Sequence, residues 1–163
     1  MKFLTPAQKL KSIRKYLKMT QKDLIDDDIS RGLISMIEIE KRELNNNIVL
    51  KLVKKFEKKA KELDVPLEID INYFLRSRDE EAEVYCLNKL KEAITDIDII
   101  KVINIAGEFN LSNIKGIAYS KLGEYHFNNK NYNEAFLAYN NSVDILENII
   151  SINHCFTKES EMG

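Results

Sequence analysis

The sequence predicts an all-α fold, and three observations carry that expectation. Apolar residues recur at spacings of three and four along nearly the whole chain, as in Leu10, Ile13 and Leu17, the pattern of amphipathic helices. Capping residues stand directly before such runs, Thr20 and Ser30 among them, where a side-chain hydroxyl satisfies the orphan amides of a first turn. No segment shows the strict alternation of a half-buried strand. With 163 residues, 44% of them hydrophobic, the chain can hold one ordinary domain or two small ones around a real core.

The elements follow in order. A first helix is expected from Pro6 to about Lys18, capped by Thr5, with Pro6 at the first position where a missing amide costs nothing. Two short helices come next. Thr20 opens Gln21-Lys22-Asp23-Leu24-Ile25, with an acid three residues after the cap, and Ser30 opens Arg31 to Glu38. Asn45-Asn46-Asn47 is a polar break before a helix of about Ile48 to Leu63, whose apolar face is Leu52, Val53, Phe56, Ala60 and Leu63. Its many lysines form either a solvated face or a DNA-contacting one. Pro66 disfavours helix at Val65 and marks a boundary. Residues 67 to 78 read as a connector that Tyr73, Phe74 and Leu75 anchor to one side or the other. Four further helices are expected, over about 80–94, 98–109, 112–128 and 132–152. The domain division is therefore 1–65, a connector 66–79, and 80–163.

Charge separates the halves. Residues 1–65 hold 16 Lys and Arg against 10 Asp and Glu, a net of +6, and residues 66–163 hold 9 against 16, a net of −7. A basic half is what phosphate binding requires. The chain opens Met1-Lys2-Phe3-Leu4 and turns polar at once, so neither a secretory signal nor a membrane span is expected and a cytoplasmic location follows. Cys86 and Cys155 stand far apart and read as free thiols. His126 and His154 lack the clustered partners of a zinc site. The five glycines form no phosphate-binding fingerprint, and no nucleophile motif is recognisable. The expectation is a non-enzyme without cofactor or metal.

Two short capped helices joined by a tight turn are the helix-turn-helix architecture, in which the second helix enters the DNA major groove. The same residues resemble the Xre/Cro-like family of phage and bacterial repressors. The matching pieces are Ile13-Arg14, Thr20-Gln21 with Leu24, Ser30 with Ile34-Ser35, then Ile37-Glu38, followed by Lys41-Arg42. The match covers about the first 65 residues. It departs from the family at Ile25, where Ala is common, at Glu40, where Gly is usual, and at the acidic turn Asp26-Asp27-Asp28.

On this reading Ile34 and Ile37 face the core, and Ser30, Arg31, Gly32, Ser35 and Met36 face outward. Arg31 has the fork that matches guanine O6 and N7, or it contacts phosphate. Ser35 donates or accepts, Met36 offers apolar surface to a thymine methyl, and Gly32 lets the backbone come close. The resemblance implies that Gln21 contacts phosphate and that Arg14 pairs with Glu38 as a structural link. Lys41 and Arg42 reach flanking phosphates. One such unit reads few base pairs, so a homodimer on paired half-sites is expected.

A second resemblance lies between Ile114 and Leu146. Tyr119, Leu122-Gly123, Phe127, Ala135, Tyr139 and Ser142 fit the tetratricopeptide pattern, with His126 and Glu147 as departures. Together the halves resemble the Rgg and PlcR group of peptide-sensing regulators, which implies a transcriptional regulator with a signalling peptide as a further partner. The apolar end of the last helix, including Leu146, Ile149, Ile150, Ile152 and Phe156, is the expected dimer interface. The rival readings are a protein-interaction module that has lost its grip on DNA, and the antitoxin of a toxin–antitoxin pair.

Overall fold

The computed structural model describes residues 2–160, with side chains described from Lys2 to Ser151. Among the described residues the fold is all-α: α1 Pro6–Tyr16, a single 3₁₀ turn Gln21–Leu24, α2 Arg31–Glu38, α3 Asn46–Leu63, α4 Ile71–Leu75, α5 Arg78–Glu92, α6 Asp96–Glu108, α7 Ser112–Asn128 and α8 Tyr132–Ser160. The chain divides into two compact units, Met1–Glu81 and Ala82–Gly163, and the division falls inside α5. No helix among the described residues is long and apolar enough to cross a membrane.

The helices start where side chains can cap them. Thr5 Oγ1 accepts from Gln8 N, Ser30 Oγ from Leu33 N, Asn45 Oδ1 from Ile48 N, Asp70 Oδ1 from Tyr73 N and Thr95 Oγ1 from Asp98 N, at 2.6–3.3 Å. They stop by another device. Lys18, Glu40, Asp64, Asn110 and Lys130 each adopt a left-handed φ between 52 and 63° just past a helix. The next amide then returns to a carbonyl five residues earlier, as in Met19 N to Arg14 O and Lys41 N to Met36 O, both 2.9 Å, the Schellman arrangement usually built on glycine. For this reason α1 ends two residues earlier than its apolar spacing suggests.

The first core is built from Leu10, Leu17, Leu24, Ile29, Ile34, Ile37, Val49, Leu52, Phe56 and neighbours. It also takes in the segment read as a connector. Phe74 is wholly buried and stacks on Phe56 with ring centroids 6.0 Å apart, and Val65, Leu67, Ile69, Ile71, Tyr73 and Leu75 pack around it. Residues 66–81 therefore belong to the first unit rather than linking two domains. Lys9, on α1, fixes the attachment. It is 1% exposed, and its Nζ donates to Tyr73 O at 2.6 Å, Arg76 O at 2.9 Å and Glu81 Oε1 at 3.0 Å. It also lies 4.8 Å from the centroid of the Tyr73 ring. A buried ammonium needs this full set of acceptors.

The second core joins Cys86 and Leu90 of α5, Ile99, Val102, Ile103 and Ala106 of α6, Ile114, Ala118 and Leu122 of α7, and Ala138 of α8. The α7–α8 hairpin is close-packed through small residues. A Cβ on Gly123 would lie 2.8 Å from the Tyr139 ring, and one on Gly116 would lie 2.9 Å from Leu146 Cδ2. Buried Ser142 Oγ donates to Gly116 O at 2.8 Å. Burial pushes the free Cys86 thiol up from its ordinary value, while His154 and Cys155 lie outside the described side chains.

Lys9→Met keeps the length of the stem and removes the ammonium. Because it strands two carbonyls and part of a carboxylate, it is expected to destabilise the first unit by roughly 3 kcal/mol in urea unfolding. A change within 0.5 kcal/mol, about that of an ordinary surface substitution, would show that the Lys9 bonds contribute little.

Candidate nucleic-acid interface

α2 is eight residues long, too short to be stable alone. It is held from below and from one end. Below, Ile34 and Ile37 are buried in the first core, as their spacing predicts. At the end, Glu38 is gripped by Arg14 of α1: Nε donates to Oε1 at 2.6 Å and Nη2 to Oε2 at 2.9 Å. Arg14 Nη1 also donates to Met19 O at 3.0 Å, and Gln21 Nε2 to Glu38 Oε2 at 3.0 Å. The side chains of Arg14 and Glu38 are 12% and 4% exposed. Burial pushes the Glu38 carboxyl up, but the hydrogen bonds from Arg14 and Gln21 and the Arg14 charge outweigh it, so it titrates below its ordinary range. The hydrogen bond to Glu38 raises Arg14 correspondingly.

The element before α2 is one 3₁₀ turn rather than a second α-helix. Thr20 N and Oγ1 both donate to Asp23 Oδ2, at 2.6 and 2.9 Å, which closes the turn at its start. Asp26 ends the helical path by accepting from Asp28 N and Ile29 N at 3.0 and 2.9 Å. Lys55 of α3 then locks the segment: its Nζ donates to Leu24 O and Ile25 O, each at 2.8 Å, and lies 3.0 Å from Asp26 Oδ2. Lys51 pairs with Asp28. The hydrogen bond from Lys55 is the main cause holding the Asp26 carboxyl below its ordinary value. Two of the three turn carboxylates are thus offset by α3 lysines, which gives those lysines a structural role that helix periodicity does not reveal.

The sequence-predicted residues fall into three groups. Arg31, Gly32, Met36, Lys41 and Arg42 are exposed, along with the capping Ser30. A Cβ on Gly32 would meet only Ser30 Oγ, at 3.8 Å, so packing does not require glycine there. Ser35 is half-buried, and Gln21 is half-buried with its amide bonded to Glu38. Of the residues expected to form a dimer interface, Leu146 is 36% exposed with its side chain against Gly116, Ile149 is half-buried and Ile150 is 59% exposed. Ile152 and Phe156 lie outside the described side chains. Ile39, the residue directly after α2, is 56% exposed and adds apolar surface that the sequence reading did not single out. Glu40 carries the left-handed φ of 61° that makes glycine usual at this position. Its carboxylate accepts from Thr5 Oγ1 at 2.6 Å.

Extending the first unit to Glu81 brings it to 18 Lys and Arg against 15 Asp and Glu, a net of +3. The positive charge left exposed is local: Arg31, Lys41 and Arg42 are exposed, while two of the three turn acids, Asp26 and Asp28, are paired. No group of three His, Cys, Asp or Glu among the described residues is placed to hold a metal ion.

The Glu38 carboxyl titrates lower in the folded chain than unfolded, so its contribution is complete above the ordinary carboxylate range and is lost as pH falls through its depressed value. Glu38→Gln should therefore lower stability at neutral pH and flatten its fall in acid; unfolding curves of the two proteins that run parallel from pH 7 to 3 would contradict the pairing. The chain matches no protein-family model, and no curated protein or solved structure matches it significantly.

Proposed function

We propose that the first unit is an Xre/Cro-like helix-turn-helix domain and that the chain is a sequence-specific, DNA-binding transcriptional regulator. The observation that carries the reading is the presentation of α2. Its inner face is in the core, its end is clamped through Glu38, and Arg31, Gly32 and Met36 remain free on its outer side. Lys41 and Arg42 follow directly and are exposed. In this role α2 lies in the major groove with Ser30 and Arg31 nearest the base edges. Gln21 supports α2 through Glu38, which gives it a structural duty beside any phosphate contact. Two copies on adjacent half-sites supply the specificity that one eight-residue helix lacks.

The second reading is a protein-interaction module. It is favoured by the apolar surface of the α7–α8 hairpin, where Phe136, Val143 and Ile150 are each more than half exposed. In this reading the second unit, with its tetratricopeptide-like hairpin, binds a protein or peptide partner.

The DNA reading is tested by selecting bound sequences from a random duplex pool and measuring affinity against salt. Arg31→Ala should relax discrimination at one base pair per half-site, at about 1–3 kcal/mol on the selected site. Lys41→Ala should weaken all sequences alike and make the log–log salt slope shallower by roughly one unit per contact. Failure to bind any duplex at low salt would sink the regulator and leave the interaction module.

A further inference from the structure

The exposed surface of the α7–α8 hairpin is rich in apolar side chains, and its one exposed cation among the described residues is Lys130 in the turn. On α8, Phe136, Tyr139, Val143, Leu146 and Ile150 are all at least 36% exposed. Their spacing alternates three and four, so they form one narrow stripe along the helix, the seam geometry of paired helices. It lies beside the face that packs on α7, whose buried members are Ala135, Ala138 and Ser142. Phe127 of α7 continues the surface at one end, against Tyr132 with ring centroids 5.6 Å apart.

Carboxylates dominate the charges around this stripe, with Lys130 in the turn as the exception. Among the exposed residues of α7, and of α8 through Ser151, there are four carboxylates, Glu124, Glu134, Asp144 and Glu147, and no Lys or Arg. Helical geometry puts Glu147 and Asp144 on the α8 flank of the stripe. Glu124 is one turn from Phe127 on the exposed side of α7, the opposite flank. The lysines of α7, Lys115 and Lys121, are half-buried, and Lys121 Nζ donates to Leu90 O.

We infer that this surface docks an amphipathic helix of a protein partner, one whose apolar stripe is flanked by Lys and Arg. The apolar seam supplies the contact area, and the carboxylates on both flanks select the partner's charge. A second copy of this chain would bring the same four carboxylates to the same surface, which disfavours it as the occupant. The inference rests on the interaction-module reading and is independent of DNA binding, so loss of one leaves the other standing.

The test uses the full chain and three synthetic 21-residue peptides, with affinity read by fluorescence anisotropy. One has Leu at alternating spacings of three and four with Lys on both flanks. The second has Glu on the flanks, and the third has the composition of the first in scrambled order. The Lys-flanked peptide should bind at least about tenfold more tightly than either control, a difference of about 1.4 kcal/mol. Val143→Asp, at a site already half exposed, should lower that affinity at least about tenfold, as expected at the centre of an interface. Asp144→Lys with Glu147→Lys should shift the preference toward the Glu-flanked peptide; circular dichroism and urea unfolding of these variants report whether the fold survives. Equal binding of the Lys- and Glu-flanked peptides, or binding untouched by Val143→Asp, would overturn the inference. So would sedimentation of the chain alone as a dimer that Val143→Asp dissolves, because the occupant would then be a second copy.

Discussion

The clamp on Glu38 is the interaction on which the rest of the first unit depends. It joins three separate pieces of chain: Arg14 from α1, Gln21 from the 3₁₀ turn, and Glu38 at the end of α2. Burying Ile34 and Ile37 contributes about 1.5–3 kcal/mol each, but apolar burial is non-directional and does not fix how α2 is turned. The bidentate Arg14–Glu38 geometry does, since a planar fork accepts a carboxylate in few orientations. Replacing a buried pair with apolar residues raises stability in some folds; what the pair supplies here is orientation of a helix too short to hold its own.

Charge is organised differently in the two units. In the first, α3 directs Lys51 and Lys55 at the acids of the preceding turn, so a segment that reads as repulsive to phosphate is locally offset. Arg31, Lys41 and Arg42 are left exposed. In the second unit, the exposed residues of α7, and of α8 through Ser151, include four carboxylates and no Lys or Arg.

Much of this was legible in the sequence because it rests on local rules. Thr5, Ser30 and Asn45 are caps by residue type, the inward turn of Ile34 and Ile37 follows from spacing, and α7 begins and ends where its pattern does. The Arg14–Glu38 link was legible only through the family resemblance. What stayed hidden depends on distant contacts or on unusual residues in familiar roles. Helix ends at Lys18, Glu40 and Asp64 carry no glycine to announce them. The core position of Phe74 depends on its stacking with Phe56, eighteen residues away. Lys9 reads as a surface lysine until the carbonyls of Tyr73 and Arg76 close around it. Asp26 reads only as part of an acidic turn, and its acceptance of the Asp28 and Ile29 amides just after the 3₁₀ turn is not visible in the sequence.

The central claim is that the clamp exists to present the outer side of α2 to DNA. Adding a random-sequence duplex at low salt to the isotope-labelled chain, with amide resonances followed by NMR, tests it most directly. The account predicts shifts concentrated between Ser30 and Met36 and at Lys41 and Arg42, with α7 and α8 unchanged. Absence of shifts in the first unit, or shifts confined to α7 and α8, would contradict it.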